Sequence, residues 1–248
     1  MGTTVKPYKD SDKSKTQQVR DMFDNISQHY DFLNHALSFG IDIIWRKSMV
    51  RIARKAYPGR FLDIATGTGD QAVMLAEKLH PQRIDAIDLS EKMMDIGRSK
   101  VTKKGLSDKI FFQRADCQSL PFDHNTFDLA TISFGVRNFE NLAQSLSEIH
   151  RVLKPGGMLL ILEFSHPTAF PIKQLYSFYN KCILPAVGYV VSGDAKAYTY
   201  LPESIKAFPS GRNFINLLRV DGFLATRMTP MTGGIATIYS GIKAPEKV

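Results

Sequence analysis

The chain has 248 residues, a formal net charge of +8, 44% hydrophobic and 23% charged residues. At roughly 100 to 200 residues per domain this is one large domain or two small ones, able to bury a core without metals or disulfides. The composition excludes collagen-like, disordered and disulfide-stapled chains. Cys117 and Cys182 are the only cysteines, which excludes a four-cysteine zinc site and favours a reducing compartment.

In chain order, residues 1–14 are polar and carry Lys6, Lys9 and Lys13, which reads as a mobile basic arm without the apolar region of a secretory signal. Residues 15–56 predict two or three helices forming a lid, with Ile43, Ile44, Met49, Val50 and Ile52 as apolar faces. Short apolar runs then alternate with helical patterns: Phe61 to Ala65, Gln71 to Leu79, Ile84 to Ile87, Lys92 to Val101, Ile110 to Phe112 and Phe127 to Ser133. That alternation predicts an α/β core over 60–165, a parallel sheet with covering helices. Leu142, Leu146, Ile149 and Leu153 share one helical face. Lys154-Pro155-Gly156-Gly157 then predicts a turn before a strand over Met158 to Phe164. Residues 166–218 mix aromatics, prolines and helix formers and read as an inserted cover, and 219–243 return to strands. The whole of 15–248 is expected to form a single domain. Its longest clean apolar run, Met158 to Leu162, is far below the roughly 20 residues of a membrane-spanning helix.

The first strand ends in Asp63-Ile64-Ala65-Thr66-Gly67-Thr68-Gly69-Asp70. Glycines there let the backbone turn sharply and approach a ligand. Read as Gly67-x-Gly69-x-x-Ala72 with Asp88 further on, the stretch satisfies a dinucleotide fingerprint. Asp63 and Asp70, however, would crowd the helix start on which a pyrophosphate rests. A like-charge pair at about 4 Å in an effective dielectric of 20 costs on the order of 4 kcal/mol. The loop therefore suits a cationic ligand without phosphate, and S-adenosylmethionine fits. Asp88 closes the second strand, where it can accept ribose hydroxyls. Asp116 closes the third, where it can accept from an adenine amino group beside the Cys117 amide. Ser133 ends the next strand and borders the same pocket. Open parallel sheets bind ligands at these carboxyl ends.

With those residues in place the chain resembles a class I methyltransferase, and more narrowly the ubiquinone/menaquinone biosynthesis C-methyltransferase family. The narrower resemblance rests on Tyr30-Asp31-Phe32-Leu33-Asn34, Thr131 to Asn138, Arg151 to Gly157 leading to Glu163-Phe164-Ser165, and Asp194 to Leu201 with Ser204-Ile205. Asp42 and Leu33 depart from the family's usual histidine and methionine. The resemblance implies a Rossmann-like, seven-stranded, mostly parallel sheet with helices on both faces and an antiparallel last strand. It implies S-adenosylmethionine as methyl donor and a polyprenylated quinol as acceptor, demethylmenaquinol or its ubiquinone counterpart. Cofactor contacts are implied at Thr68, Asp88, Asp116, Cys117 and Ser133, beside Asp63, Gly67 and Gly69.

A ring carbon becomes a good nucleophile once a neighbouring hydroxyl loses its proton, so the site needs a base or a cation that stabilises phenolate. Arg137 follows the Ser133 strand end, is expected to face the pocket, and can hold the phenolate without titrating. Tyr30, Asp31 and Asn34 are expected on one turn of the lid, Tyr30 or Asp31 passing the proton; helix capping and packing are equally open roles for them. Tyr176, Phe178, Tyr179, Ile183, Leu184, Val187, Tyr189, Val190 and Val191 are candidates for binding the prenyl tail and touching a membrane surface. The reading places the protein in the cytoplasm at the inner face of the membrane, with no nucleic-acid partner and no metal; a homodimer is compatible with it. His150 and His166 have no partner at metal-ligand spacing and are expected to be structural. The alternatives are an NAD-binding oxidoreductase, from the glycine fingerprint, and a nucleic-acid methyltransferase or RNA-binding module, from the positive charge.

Overall fold

Apolar runs rich in Ile, Leu and Phe, each closed by a turn residue or an acid, form seven strands in a computed structural model that describes residues 5–8, 10–56, 59–178 and 195–245. They are β1 (Arg60–Ile64), β2 (Arg83–Asp88), β3 (Ile110–Arg114), β4 (Phe127–Ser133), β5 (Leu153–Phe164), β6 (Phe223–Met231) and β7 (Ala236–Lys243). They make one sheet in the order β3-β2-β1-β4-β5-β7-β6. β1 to β5 run parallel, and β7 is antiparallel to both neighbours, as expected.

The helices are α1 (Lys15–Leu37), α2 (Ile41–Ala53), α3 (Asp70–Leu79), α4 (Glu91–Lys103), α5 (Leu142–Val152), α6 (Ile172–Phe178), α7 (Ala195–Ala207) and α8 (Arg212–Val220). Strand side chains alternate between faces, so Leu62, Ile64, Ala130 and Ile132 pack against α5 and α8. On the other face Phe61, Ile84, Leu129 and Leu160 pack against Trp45, Met49 and Ala53 of α2 and Ala72, Leu75 and Ala76 of α3. Fully burying each such side chain stabilises the fold by about 1.5–3 kcal/mol. Asp63 and Asp88 fall on the second face by the same alternation. The sheet therefore aims both carboxylates toward the helices that flank the glycine turn.

Two local expectations change. α5 passes into β5 at Leu153 with no turn between them, and Lys154-Pro155-Gly156-Gly157 is a bulge inside the strand. Pairing with β4 jumps from Phe127–Leu153 to Leu129–Met158. The basic stretch before α1 is held against that helix: the Gln18 side chain accepts from the Tyr8 amide at 2.9 Å and donates to the Lys13 carbonyl at 2.8 Å. Val5 and Tyr8 pack on Val19, Met22 and Tyr200.

α4 packs directly on the glycine turn. A Cβ on Gly97 would lie 2.7 Å from the Phe112 ring and 3.2 Å from the Thr68 carbonyl carbon. In an open helix Gly to Ala stabilises by about 1 kcal/mol. Gly97→Ala is expected to reverse that sign and destabilise by about 1–3 kcal/mol, the usual range for overpacking. Urea denaturation checks it, and a stabilised variant would show that α4 stands off the turn.

Candidate active site

The ends of β1, β2 and β4 and the loop after β3 open into a crevice holding about 780 Å³ of atom-free space, part of it open to solvent. Gly67, Asp88, Asp116, Cys117 and Ser133 all border it, together with Val19, Phe23 and Tyr30 of α1.

Asp88 controls the turn after β1. Its Oδ2 accepts the Gly67 amide at 2.8 Å and its Oδ1 accepts the Ser90 amide at 2.9 Å. Burial nevertheless pushes the carboxyl above its ordinary range. The Gly69 amide donates to the Thr66 carbonyl at 2.9 Å. The amides of both glycines in the turn are thus satisfied within the protein. Ala65 and Phe134, just past the ends of β1 and β4, have positive φ of 51° and 60°. Such strain in non-glycine residues costs of order 1–3 kcal/mol and gathers at functional sites.

The two acids expected to repel phosphate do so less directly than their spacing implies. Asp63 is 1% exposed and turned inward, accepting Thr66 Oγ1 and Thr131 Oγ1, each at 2.6 Å. Burial pushes its carboxyl up to about 6 against the pull of those hydroxyls. Asp70 is ion-paired with Lys100, and its Oδ2 is 3.6 Å from His35 Nε2. Against the cost of burial, the charges of Arg46 and Lys100 hold the Asp70 carboxyl below its usual range. An intramolecular cation therefore answers Asp70, whereas Asp88, at the Gly67 amide, borders the crevice.

Asp116 lies beyond the end of β3, in an isolated bridge to Ser119, where its Oδ1 accepts the Gln118 amide at 2.9 Å. Cys117 is a buried free thiol pushed up by burial. Ser133 Oγ is 3.5 Å from Gln71 Oε1.

The lid residues separate. Tyr30 borders the crevice, packs edge-on to Phe23 at 5.7 Å between ring centres, and is hydrogen-bonded with Asn34; burial raises its hydroxyl pKa. Asp31, one residue on, faces away and accepts from Thr68 Oγ1 at 2.6 Å and Lys100 Nζ at 2.9 Å. It clamps α1 to the glycine turn and α4, and Thr68 is engaged in that clamp. Sequence reasoning missed the matching clamp at the other end of α1. There Glu140 accepts the Lys15 amide at 3.3 Å, the Thr16 amide at 3.0 Å and the Thr16 hydroxyl at 2.7 Å. Lys15 Nζ donates to the carbonyls of Arg137 and Phe139 at 3.1 and 3.0 Å, and burial lowers its pKa to about 8.

Arg137 sits on the turn after β4, but its guanidinium turns to the end of β5. Nη1 is 2.8 Å from Glu163 Oε1 and also donates to the Phe134 carbonyl, and the group stacks 5.5 Å from the Phe164 ring centre. Glu163 is fully buried and also accepts the Arg137 amide at 3.2 Å. Glu163 was part of a motif carrying the family resemblance, but sequence reasoning gave it no role beside Arg137. Among the described residues no group of three or more His, Cys, Asp or Glu could hold a metal. Of the cover, Tyr176 and Phe178 are described, whereas Tyr179, Cys182, Ile183, Leu184, Val187, Tyr189, Val190, Val191 and Asp194 lie outside the described residues.

An S-adenosylmethionine-dependent methyltransferase of Thermotoga maritima superposes with a TM-score of 0.60 at 17% identity, covering 90% of this chain and 99% of that one. The strand order and the crevice over the strand ends accordingly define a class I methyltransferase fold. Residues 11–243 match the ubiE/COQ5 methyltransferase family, and the chain belongs to it. It is 47% identical to a demethylmenaquinone methyltransferase of Bacteroides fragilis over 96% of this chain and 97% of the relative. It is 46% identical to a ubiquinone/menaquinone biosynthesis C-methyltransferase of Geobacter sulfurreducens over 92% and 90%.

The buried Asp63 makes stability depend on pH. Its folded pKa of about 6 exceeds the ordinary 3.8, so its contribution is complete below about pH 4 and is lost as pH rises through 6. Asp63→Asn cannot ionise. Its stability relative to the unmodified chain is expected to rise by on the order of 3 kcal/mol between about pH 4 and 7. Urea titrations of both proteins across that range test this; a difference that stays flat would place Asp63 in contact with water.

Proposed function

We propose that the protein transfers the methyl group of S-adenosylmethionine to a ring carbon of a polyprenylated quinol, converting demethylmenaquinol to menaquinol. The observation that carries this is the crevice itself, where Asp88 already occupies the Gly67 amide and Asp116 stands at the far end, in a chain nearly half identical to a demethylmenaquinone methyltransferase along its length. The same hydrogen bond disfavours the dinucleotide alternative.

Bound there, S-adenosylmethionine supplies an electrophilic methyl on sulfur. Asp88 has lone pairs left for the ribose hydroxyls, and Asp116 with the Cys117 backbone offers acceptor and donor to the adenine. Gly67 and Ser133 border the segment between. The chain's remaining task is alignment and exclusion of water, and orientation of this kind can lower a barrier by roughly 7 to 11 kcal/mol. α1 covers the crevice with Val19, Phe23 and Tyr30. On the acceptor side Phe134 and Phe164 lie 4.6 Å apart at a 32° tilt, with Trp45 near both. In this reading Arg137, held by Glu163 against the Phe164 ring, is the cation that stabilises phenolate as the quinol hydroxyl loses its proton. In the same reading Tyr30, hydrogen-bonded with Asn34, orients the ring. Asp31 enters as the residue that keeps the lid shut.

The acceptor's prenyl tail needs an apolar exit. Phe170, Leu175 and Phe178 in and before α6 are 80%, 66% and 61% exposed, and α6 has no buried residue. They support docking of this side on a membrane surface, at the cytoplasmic face in our reading. No helix among the described residues is long and apolar enough to cross a membrane.

Cells lacking the protein are expected to accumulate a quinone one methyl lighter than their normal pool; an unchanged pool in extracted lipids would refute the assignment. Asp88→Ala is expected to lose S-adenosylhomocysteine affinity. Arg137→Ala is expected to keep it and to lose roughly 10²–10⁴-fold in kcat. Equal binding losses in both variants would show that Arg137 serves the donor.

A further inference from the structure

The turn after β4 that carries Arg137, Val136–Asn138, is a single turn of tight helix. Its own backbone bonds run from the Asn138 amide to the Gly135 carbonyl at 3.0 Å and from the Phe139 amide to the Val136 carbonyl at 3.2 Å. Hydrogen bonds in so tight a turn are poorly aligned and restrain little by themselves. Support comes from outside the turn. Glu163 of β5 takes the Arg137 amide and guanidinium, and the buried Tyr200 of α7 donates its hydroxyl to Asn138 Oδ1 at 3.0 Å. Lys15, the first residue of α1, donates from Nζ to the carbonyls on either side of Asn138, Arg137 at 3.1 Å and Phe139 at 3.0 Å.

A lysine is costly at that position. It is 7% exposed, and burial together with the nearby Arg137 charge disfavours its ammonium, lowering the pKa to about 8. A buried cation persists when it is paired and hydrogen-bonded. Glu140 supplies the opposing charge and also accepts the Lys15 and Thr16 amides. Residues 137–140 therefore grip Lys15 by its backbone and by its ammonium. A charged donor makes a hydrogen bond roughly twice as strong as a neutral one, so an ammonium on two carbonyls fixes the turn more firmly than a hydroxyl would.

The start of α1 also reaches the donor half of the crevice. Thr16, Val19 and Phe23 border it. Gln118 Nε2 lies 3.5 Å from Thr16 Oγ1 and 3.3 Å from Asp116 Oδ2. One end of one helix thus touches both the loop that carries Asp116 and the turn that carries Arg137. We infer that Lys15 is a positioning residue for methyl transfer: seated by α1 beside the donor, it holds the turn from which Arg137 meets the acceptor. The inference rests on the methyl-transfer reading above and gives the start of the lid a task in the acceptor half of the site.

The test is a double-mutant cycle on the full chain, read by turnover of a short-tailed demethylmenaquinol and by calorimetry with S-adenosylhomocysteine. Lys15→Met is expected to lower kcat by about tenfold to a hundredfold, within the span of coupling between residues of one hydrogen-bonded network. Acceptor KM and S-adenosylhomocysteine affinity should stay within about threefold. Lys15→Arg, which keeps the charge and donors for both carbonyls, should recover part of the loss. In an Arg137→Ala background Lys15→Met should lower kcat by less than about threefold further, because the group it positions is gone. Losses that multiply in the double variant would overturn the inference in favour of a general structural role. A fall in S-adenosylhomocysteine affinity that matches the fall in kcat would overturn it by confining Lys15 to the donor, and an unchanged kcat would overturn it outright. Should Lys15→Met fail to fold, Glu140→Gln, which loosens the same seat from its exposed side, decides by the same cycle. If the unmodified chain methylates no quinol, the methyl-transfer reading itself falls, and this assignment with it.

Discussion

The turn from Thr66 to Gly69 is held from two sides by carboxylates, and the site depends on that restraint. Asp63 takes the Thr66 hydroxyl from within β1 and ties it to Thr131 of β4, while Asp88 of β2 takes the Gly67 amide. Three adjacent strands thereby set one loop. Both acids sit in low dielectric, where a satisfied polar network rigidifies and an unsatisfied one is costly. The result is a crevice in which the two glycine amides of the turn are spent on the protein's own oxygens. What remains to greet a ligand is a set of carboxylates at the strand ends, Asp88 foremost. A zwitterion with a positive sulfur matches that pattern, and a diphosphate does not.

The lid is built from the same kind of interaction. α1 is pinned at its start by Glu140, which accepts from Lys15 and Thr16, and near its end by Asp31, which accepts from Thr68 and Lys100. Between the pins lie Val19, Phe23 and Tyr30 over the crevice. Both clamps land on elements that shape the site, the turn after β4 and the turn after β1. The ion pairs are partly exposed, so each contributes about 0–1 kcal/mol, which suits a cover that has to open for ligand exchange.

Much of this was legible in the sequence. Apolar runs alternating with helical periodicity, a glycine turn at the first strand end and acids at the next two strand ends are local signals, and they located β1 to β5 and the crevice. The crevice-facing side of Tyr30 and the antiparallel β7 came with the family resemblance. What stayed hidden was long-range pairing. Lys100 answers Asp70 across 30 positions and Asp31 across 69, and nothing in either segment announces the other. Adjacent helical residues point about 100° apart, so Tyr30 and Asp31 could not be assigned to the same task by proximity. The direction of the Arg137 guanidinium stayed hidden as well, because the buried Glu163 that holds it belongs to another strand. The proline-glycine stretch before Met158 read as a turn, since a bulge within a strand uses the same residues.

The account stands on a crevice that accepts an adenosyl sulfur compound and declines a dinucleotide. Titrating the protein with S-adenosylhomocysteine in the presence and absence of excess NAD measures this directly. The account predicts tight binding of S-adenosylhomocysteine with an affinity that NAD leaves unchanged. Binding of NAD, with no heat from S-adenosylhomocysteine, would contradict it.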